Sequence, residues 1–254
     1  MPDRNDPPWS SDHLPKMTGE ADPDRLDLVT KRLRAAASED DLSPRRAALK
    51  ELADTTRSLI DHLVATDAPQ QVVEAATVEV AAAAERFAGY HQGTLYGFSE
   101  AATAGKREDP LFDHSPLIGM ANPLAPPMTI DEVDGLIVAS ARFGQAYEGP
   151  PGCVHGGYVA AAFDELLGAT QSLSGAPGMT GTLTVRYEKP TPLHTDLRFE
   201  GRLVGVERRK IFTEGACYAD DTLTATAKGT FISIQPGAFL DLLADREARQ
   251  SEQR

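Results

Sequence analysis

Hydrophobic and polar residues alternate in four runs of the second half of the chain, at 179–189, 194–207, 210–219 and 222–234. In the first run, Leu183, Val185 and Tyr187 face one side, while threonines and charged residues face the other. A period of two with one apolar face is typical of antiparallel strands that bury one face and expose the other to water. These runs therefore predict a meander of long antiparallel strands.

An apolar helical run precedes these strands, from Gly156 to about Ser172, and a strand-like run at 134–143 precedes the helix. The helical run is made of small and apolar residues on nearly every side, which predicts that it is buried. One buried helix and a set of antiparallel strands predict an α+β fold, in which a sheet wraps around a single central helix.

The first half of the chain follows another pattern. Residues 1–23 hold five prolines among polar residues, which predicts a disordered tail. Residues 24–88 carry leucines at helical spacing, and Pro44 and Pro69 stand where helices can begin, since proline is tolerated in a first turn. We interpret this segment as a helical extension for packing or oligomerisation. We place the remaining boundaries as a linker at 89–115, the main domain at 116–236 and a C-terminal tail at 237–254.

Composition and charge narrow the function classes. The chain has 254 residues, of which 41% are hydrophobic and 25% charged, as in an ordinary globular protein. Its net charge of -13 argues against a nucleic-acid partner, because binding phosphates needs clustered cations. We expect no membrane insertion, since no apolar run is long enough to span a bilayer and no secretory leader stands at the N-terminus. With only two cysteines, a cytoplasmic location is expected.

Asp164 stands in the middle of the apolar helical run, with alanine, leucine and glycine one turn away on either side. A carboxylate in such surroundings costs free energy unless it is paired, hydrogen-bonded or protonated. Perturbed carboxylates of this kind are candidates for functional sites. The alternative is that Asp164, or its neighbour Glu165, marks the solvent edge of the helix.

His155, Gly156 and Gly157 stand at the start of the same run. Free N–H groups of a first helical turn carry partial positive charge, and glycines let a ligand approach the backbone, which together favour an oxyanion site. Gly156 and Asp164 are eight residues apart, about 12 Å along a straight helix. Both groups must nevertheless lie roughly 3 Å from one reacting centre. The spacing therefore predicts a two-fold dimer whose antiparallel helices form composite sites.

The order of motifs is specific when the motifs are taken together. His155-Gly156-Gly157 is followed by Asp164, then by Gly168, and then by a strand that ends in Tyr-Glu-Lys-Pro-Thr-Pro-Leu at 187–193. Two later segments, 207–212 and 227–231, complete the pattern. Residues 116–236 thereby resemble the hotdog-fold thioesterases, specifically the acyl-CoA thioesterases of the phenylacetate-degradation-like group.

The resemblance implies a hotdog fold and hydrolysis of an acyl-CoA thioester by a homodimer or a dimer of dimers. It implies that Asp164 is the nucleophile or general base. The Gly156 N–H would polarise the thioester carbonyl, with His155 nearby and Gly157 close to the substrate. We expect no cofactor and no metal, because the six histidines are scattered singly along the chain.

A hydroxyl at the start of the strand after the helix helps to position the attacking water in the family. The resemblance assigns this role to Thr180, with Thr182 as the neighbouring alternative. Many relatives also carry an asparagine six residues before the histidine, where this chain has Gly149. One water-positioning group is therefore missing or replaced.

CoA would bring phosphates to the site, and basic residues are the candidates for binding them. Arg208 and Lys210 belong to the densest basic cluster of the second half, and Lys189 is a second candidate. The alternative is that these side chains belong to a solvated surface.

Three other interpretations of the same residues stay open. Cys153 and His155 could form a nucleophile–base pair, although no third group to orient them is apparent. A hotdog hydratase would need a histidine one turn from Asp164 or Glu165, and the helix has none. A non-catalytic acyl-CoA sensor or scaffold could use residues 24–88 as its output module.

Overall fold

The computed structural model describes residues 42–90, 111–126, 128–176 and 178–233, with the backbone alone at 111 and 112. The predicted tails at 1–23 and 237–254, and most of the predicted linker at 89–115, lie outside these residues. The domain boundaries therefore stay predictions.

Six antiparallel strands form one sheet in the order β1-β2-β4-β5-β6-β3. Their bounds are β1 Thr129–Val133, β2 Leu136–Arg142, β3 Gly178–Tyr187, β4 Asp196–Glu207, β5 Lys210–Ala219 and β6 Thr222–Ser233. The alternating runs and the run at 134–143 predicted five of these strands to within two residues at each end. The short acidic strand β1 was not predicted.

Within the described residues, three α-helices accompany the sheet, at Pro44–Val64 (α1), Gln70–Ala88 (α2) and Gly156–Gln171 (α3). Helix α3 is the buried helix that the sequence predicts, and it packs against one face of the sheet. Its buried side is formed mainly by Val159, Ala162, Phe163, Leu166 and Leu167. The predicted α+β hotdog fold with an N-terminal helical extension is confirmed.

Helix α3 lies close to the sheet because glycines stand beneath it on the central strands. Gly201 of β4 pairs with Gly215 of β5. A Cβ on Gly215 would lie 3.1 Å from a Leu166 methyl group, and one on Gly229 of β6 would lie 3.2 Å from a Leu167 methyl group. The Phe163 ring fills the space beside them, edge-on to Phe199 at 5.5 Å. Burying each such side chain contributes roughly 1.5–3 kcal/mol.

Helices α1 and α2 begin where their prolines predict. Pro44 lies in the first turn of α1 behind the N-cap Ser43, and Pro69 is the N-cap of α2. Helix α1 makes a buried, two-pronged ion pair from Arg46 to Asp113, and it docks on the main domain, where Asp61 accepts the Ala146 N–H. Helix α2 buries none of its residues. Within the described residues, no helix is both long and apolar enough to cross a membrane.

Candidate active site

The start of α3 is fixed by its N-cap, His155. The Gly157 N–H donates to His155 Nδ1 at 3.0 Å, and the His155 N–H donates to the Tyr147 carbonyl at 2.8 Å. In the first contact, His155 Nδ1 is the acceptor that caps the helix. Among the described residues, the Gly156 N–H has no acceptor, as expected at the first position of a helix. Gly156 is therefore the donor that stays open to a ligand, whereas the Gly157 N–H is occupied.

Tyr187 ties this end of the helix to β3. Its hydroxyl donates to the Gly156 carbonyl at 2.7 Å, and a Cβ on Gly156 would lie 3.3 Å from the tyrosine ring. The alternation of the strand predicts an apolar face for Tyr187, but it does not predict this hydrogen bond. The tyrosine thus holds the carbonyl of Gly156, the residue whose own N–H is the candidate oxyanion donor.

Asp164 is held at the other end of β3. The Thr180 hydroxyl donates to Asp164 Oδ1 at 2.8 Å, and the carboxylate is half-buried in the single chain. Asp164 is therefore hydrogen-bonded at the border of the buried face. The hydrogen bond fixes the orientation of the carboxylate relative to β3.

The strand register explains why Thr180, and not Thr182, reaches the helix. Thr180 pairs with the core residue Phe231, and Thr182 pairs with Thr230, with a bulge between the two threonines at Gly181. Directly opposed residues share one face of a sheet. Thr180 therefore lies on the helix side, whereas Thr182 lies on the outer face.

The pKa of Glu165, the residue after Asp164, is shifted by its surroundings. Its Oε1 accepts a hydrogen bond from the buried Ser115 hydroxyl at 3.2 Å. Burial raises the pKa of Glu165 above its ordinary value of 4.5, the Ser115 hydrogen bond opposes this shift, and the neighbouring charge of Asp164 adds to it. The sequence predicted no partner for Glu165 beyond a possible place at the solvent edge of the helix, whereas the side chain is half-buried and hydrogen-bonded to Ser115.

Comparisons with known proteins agree with this geometry. Residues 151–226 match the family model described as the thioesterase superfamily. A crystal structure of a thioesterase superfamily protein is 30% identical, with a TM-score of 0.64, and the match covers 72% of this chain and 94% of that one. The chain belongs to the thioesterase superfamily.

Curated relatives match over the same domain. Acyl-coenzyme A thioesterase THEM4 of Xenopus laevis is 35% identical over 111 residues, which is 43% of this chain and 50% of the relative. Acyl-coenzyme A thioesterase THEM5 of Homo sapiens is 31% identical over 107 residues, 42% of this chain and 41% of the relative. The chain thus spans half or less of the length of these curated relatives. The resemblance to hotdog-fold thioesterases is confirmed.

The basic candidates of this thioesterase-superfamily chain lie at opposite ends of the sheet. Lys210 pairs with Ile232, which pairs with Met179, so the β4–β5 turn with Arg208 lies at the Thr180 end. Lys189 follows β3 at the Tyr187 end, near Gly156. All three cations are exposed. Their role in phosphate binding stays a prediction.

Gly149 stands where the family resemblance implies an asparagine, and crowding within the turn explains the glycine. A Cβ at this position would lie 2.7 Å from His155 Cα, and the Gly149 N–H donates to the Cys153 carbonyl. The turn that carries His155 therefore leaves no room for a side chain here.

The rival nucleophile pair and a metal site find no support in the described residues. The Cys153 thiol points to the Pro151 carbonyl, and His155 Nδ1 is occupied by the Gly157 N–H. In the part of the chain that the structure describes, no three His, Cys, Asp or Glu side chains are grouped to hold a metal ion.

Proposed function

We propose that this chain hydrolyses acyl-CoA thioesters at composite sites between two subunits. The observation that carries the proposal is the Asp164 carboxylate, hydrogen-bonded to Thr180 on a helix whose first turn presents the open Gly156 N–H. The names of the curated relatives support an acyl-CoA substrate. A thioester is already activated, so one carboxylate, an N–H donor and a water suffice for its hydrolysis.

In the general-base route, Asp164 takes a proton from a water molecule, and the water oxygen attacks the thioester carbonyl carbon. The Gly156 N–H of the partner subunit stabilises the oxyanion of the tetrahedral intermediate. The carbon–sulfur bond then breaks, and the CoA thiolate takes up a proton. In the nucleophilic route, Asp164 attacks the carbonyl itself, and the carbon–sulfur bond breaks to release the CoA thiolate and leave an anhydride. Water then hydrolyses the anhydride, which releases the free acid and restores the Asp164 carboxylate. Thr180 orients the carboxylate in both routes.

The exposed edge of β3 supports a dimer. β3 is the last strand of the described sheet, and Met179 and Tyr187 on it are 57% and 53% exposed. An unpaired edge with apolar side chains is a template for pairing with another strand. Two-fold pairing of β3 with its copy would place the helices side by side and antiparallel, so that Gly156 of one subunit approaches Asp164 of the other.

A subunit-mixing experiment tests both the reaction and the composite site. Asp164→Asn removes the base, and Gly156→Pro removes the N–H at a position where helices accept proline. Each variant alone should be inactive with a panel of short, medium, long and aromatic acyl-CoAs. After co-refolding, half of the dimers are mixed and hold one intact site of two, so about a quarter of the wild-type activity should return.

The outcomes separate the alternatives. Recovery of activity in the mixture supports a hydrolase with composite sites. If mixed dimers are verified to form and the mixture stays inactive, the shared site is contradicted. A wild-type protein that binds acyl-CoA without releasing thiol would instead favour the sensor.

A further inference from the structure

Helix α1 is connected to the start of α3 by a short chain of hydrogen bonds. Asp61 Oδ1 accepts the Ala146 N–H at 2.9 Å. The next residue, Tyr147, accepts the N–H of the N-cap His155 through its carbonyl at 2.8 Å. The path from α1 to the residue that caps α3 therefore consists of two hydrogen bonds and the backbone of Ala146 and Tyr147 between them.

Arg57 makes a second connection to the same tyrosine. Its guanidinium, 14% exposed, donates to four carbonyls of one loop, those of Gly119, Met120, Asn122 and Ala125. Leu124 lies in that loop, and its carbonyl accepts the Tyr147 hydroxyl at 3.0 Å. The Tyr147 ring then packs edge-on against Tyr158, in the first turn of α3, at 4.8 Å. Hydrogen bonds from a charged donor are stronger than those between neutral groups, so Arg57 fixes this loop on α1.

The loop opposite Asp61 is shaped to accept the helix. A Cβ on Gly144 would lie 2.3 Å from Asp61 Oδ2, so any side chain there would displace the carboxylate. The glycine, the aspartate and the arginine thus form one docking surface between α1 and the two loops that meet at Tyr147.

We propose that Asp61 and Arg57 are positioning residues for the amide end of the active site. They hold Tyr147, and Tyr147 sets the orientation of His155 and of the Gly156 N–H. This inference rests on the proposed function, because the Gly156 N–H must be the group that meets the thioester carbonyl. A displacement of 1 Å can lower a rate about 100-fold, so positioning from outside the site can control turnover.

The test compares two substitutions of one residue. Asp61→Asn keeps an oxygen acceptor for the Ala146 N–H, whereas Asp61→Leu has a similar size and no acceptor. We expect Asp61→Leu to lower kcat by about tenfold or more with KM within about twofold, because the N–H acts on the transition state. Asp61→Asn should retain kcat within about twofold. Rates are normalised to the folded fraction, so that a purely structural loss does not count.

A second variant and a second readout keep the inference falsifiable. If Asp61→Leu does not fold, Tyr147→Phe takes its place in the test. Tyr147→Phe removes the hydrogen bond to the Leu124 carbonyl and should also lower kcat. Amide hydrogen exchange at His155 should be about tenfold faster in Asp61→Leu than in Asp61→Asn, independently of turnover.

Two results would overturn the positioning role. One is a wild-type kcat together with unchanged amide hydrogen exchange at His155 in Asp61→Leu. The other is an equal loss of kcat in Asp61→Leu and Asp61→Asn. Full activity of Asp164→Asn would refute the proposed function instead and leave the exchange result to decide on Asp61.

Discussion

The two functional parts of α3 are attached to the same edge strand by different kinds of bonds. At the amide end, the Tyr187 hydroxyl holds the backbone carbonyl of Gly156, and the group that we propose to act is the backbone N–H of the same residue. At the carboxylate end, the Thr180 hydroxyl holds the side chain of Asp164 itself. Most substitutions leave a backbone N–H in place, whereas a single substitution removes a side-chain carboxylate. The carboxylate end should therefore be far more sensitive to mutation than the amide end.

The largest effect is expected at Asp164. Asp164→Asn keeps an oxygen that can accept the Thr180 hydroxyl but cannot take up a proton or attack a thioester. We expect the hydrolysis rate to fall by about 10²- to 10⁴-fold, as for the loss of a general base. Release of the CoA thiol measures the rate, and an unfolding temperature close to that of the wild type serves as the control. A rate near that of the wild type would contradict the assignment.

Thr180 should follow with a smaller effect. Thr180→Val removes the hydroxyl at constant shape, and a hydrogen bond to a charged group contributes about 1.5–3 kcal/mol, so the rate should fall about 10- to 100-fold. Thr180→Ser should retain most of the activity. Thr182→Val is the matched control on the outer face, and the comparison fails if it lowers kcat as much as Thr180→Val does.

At the amide end, His155→Ala should affect stability more than rate. The substitution removes the acceptor for the Gly157 N–H, and loss of an N-cap costs about 0.5–2 kcal/mol. The Gly156 N–H remains, so kcat per folded molecule should fall only a few-fold. His155→Asn, a good N-cap, should restore the stability in chemical unfolding. A loss of turnover as large as that of Asp164→Asn would show that the imidazole itself contacts the substrate.

The smallest effect should come from Glu165 and depend on pH. Because burial raises its pKa in the folded protein, Glu165 contributes stability that is fully present below its ordinary pKa of 4.5 and is lost as the pH rises through the folded pKa. Glu165→Gln removes this loss, so the variant should gain stability relative to the wild type as the pH rises above the ordinary pKa of 4.5. Thermal unfolding at several pH values measures the difference. The exposed Glu207→Gln should keep the wild-type dependence, and an identical response of both variants would contradict the role of burial.

Much of the fold and half of the site follow from local patterns. Alternation with period two predicted the long strands, and the small apolar run at 156–172 predicted the central helix, because burial on one face imposes these periods. Asp164 stood out because a charge inside an apolar helix is rare without a function. Gly156 stood out because it begins the helix, whereas Thr180 came from the family resemblance. The structure places Thr180 against Asp164.

Other features depend on contacts between distant segments and leave no local period. The pairing of Thr180 with Phe231 decides which threonine faces the helix. Glu165 accepts a hydrogen bond from Ser115, fifty residues away in the sequence. Likewise, Asp61 and Arg57 look like ordinary surface charges of an amphipathic helix until the loops at 119–125 and 144–147 fold against them. The sequence by itself determined the elements and the chemistry of single residues. Only the tertiary structure decided their partners, because a hydrogen bond depends on distance in space and not on distance along the chain.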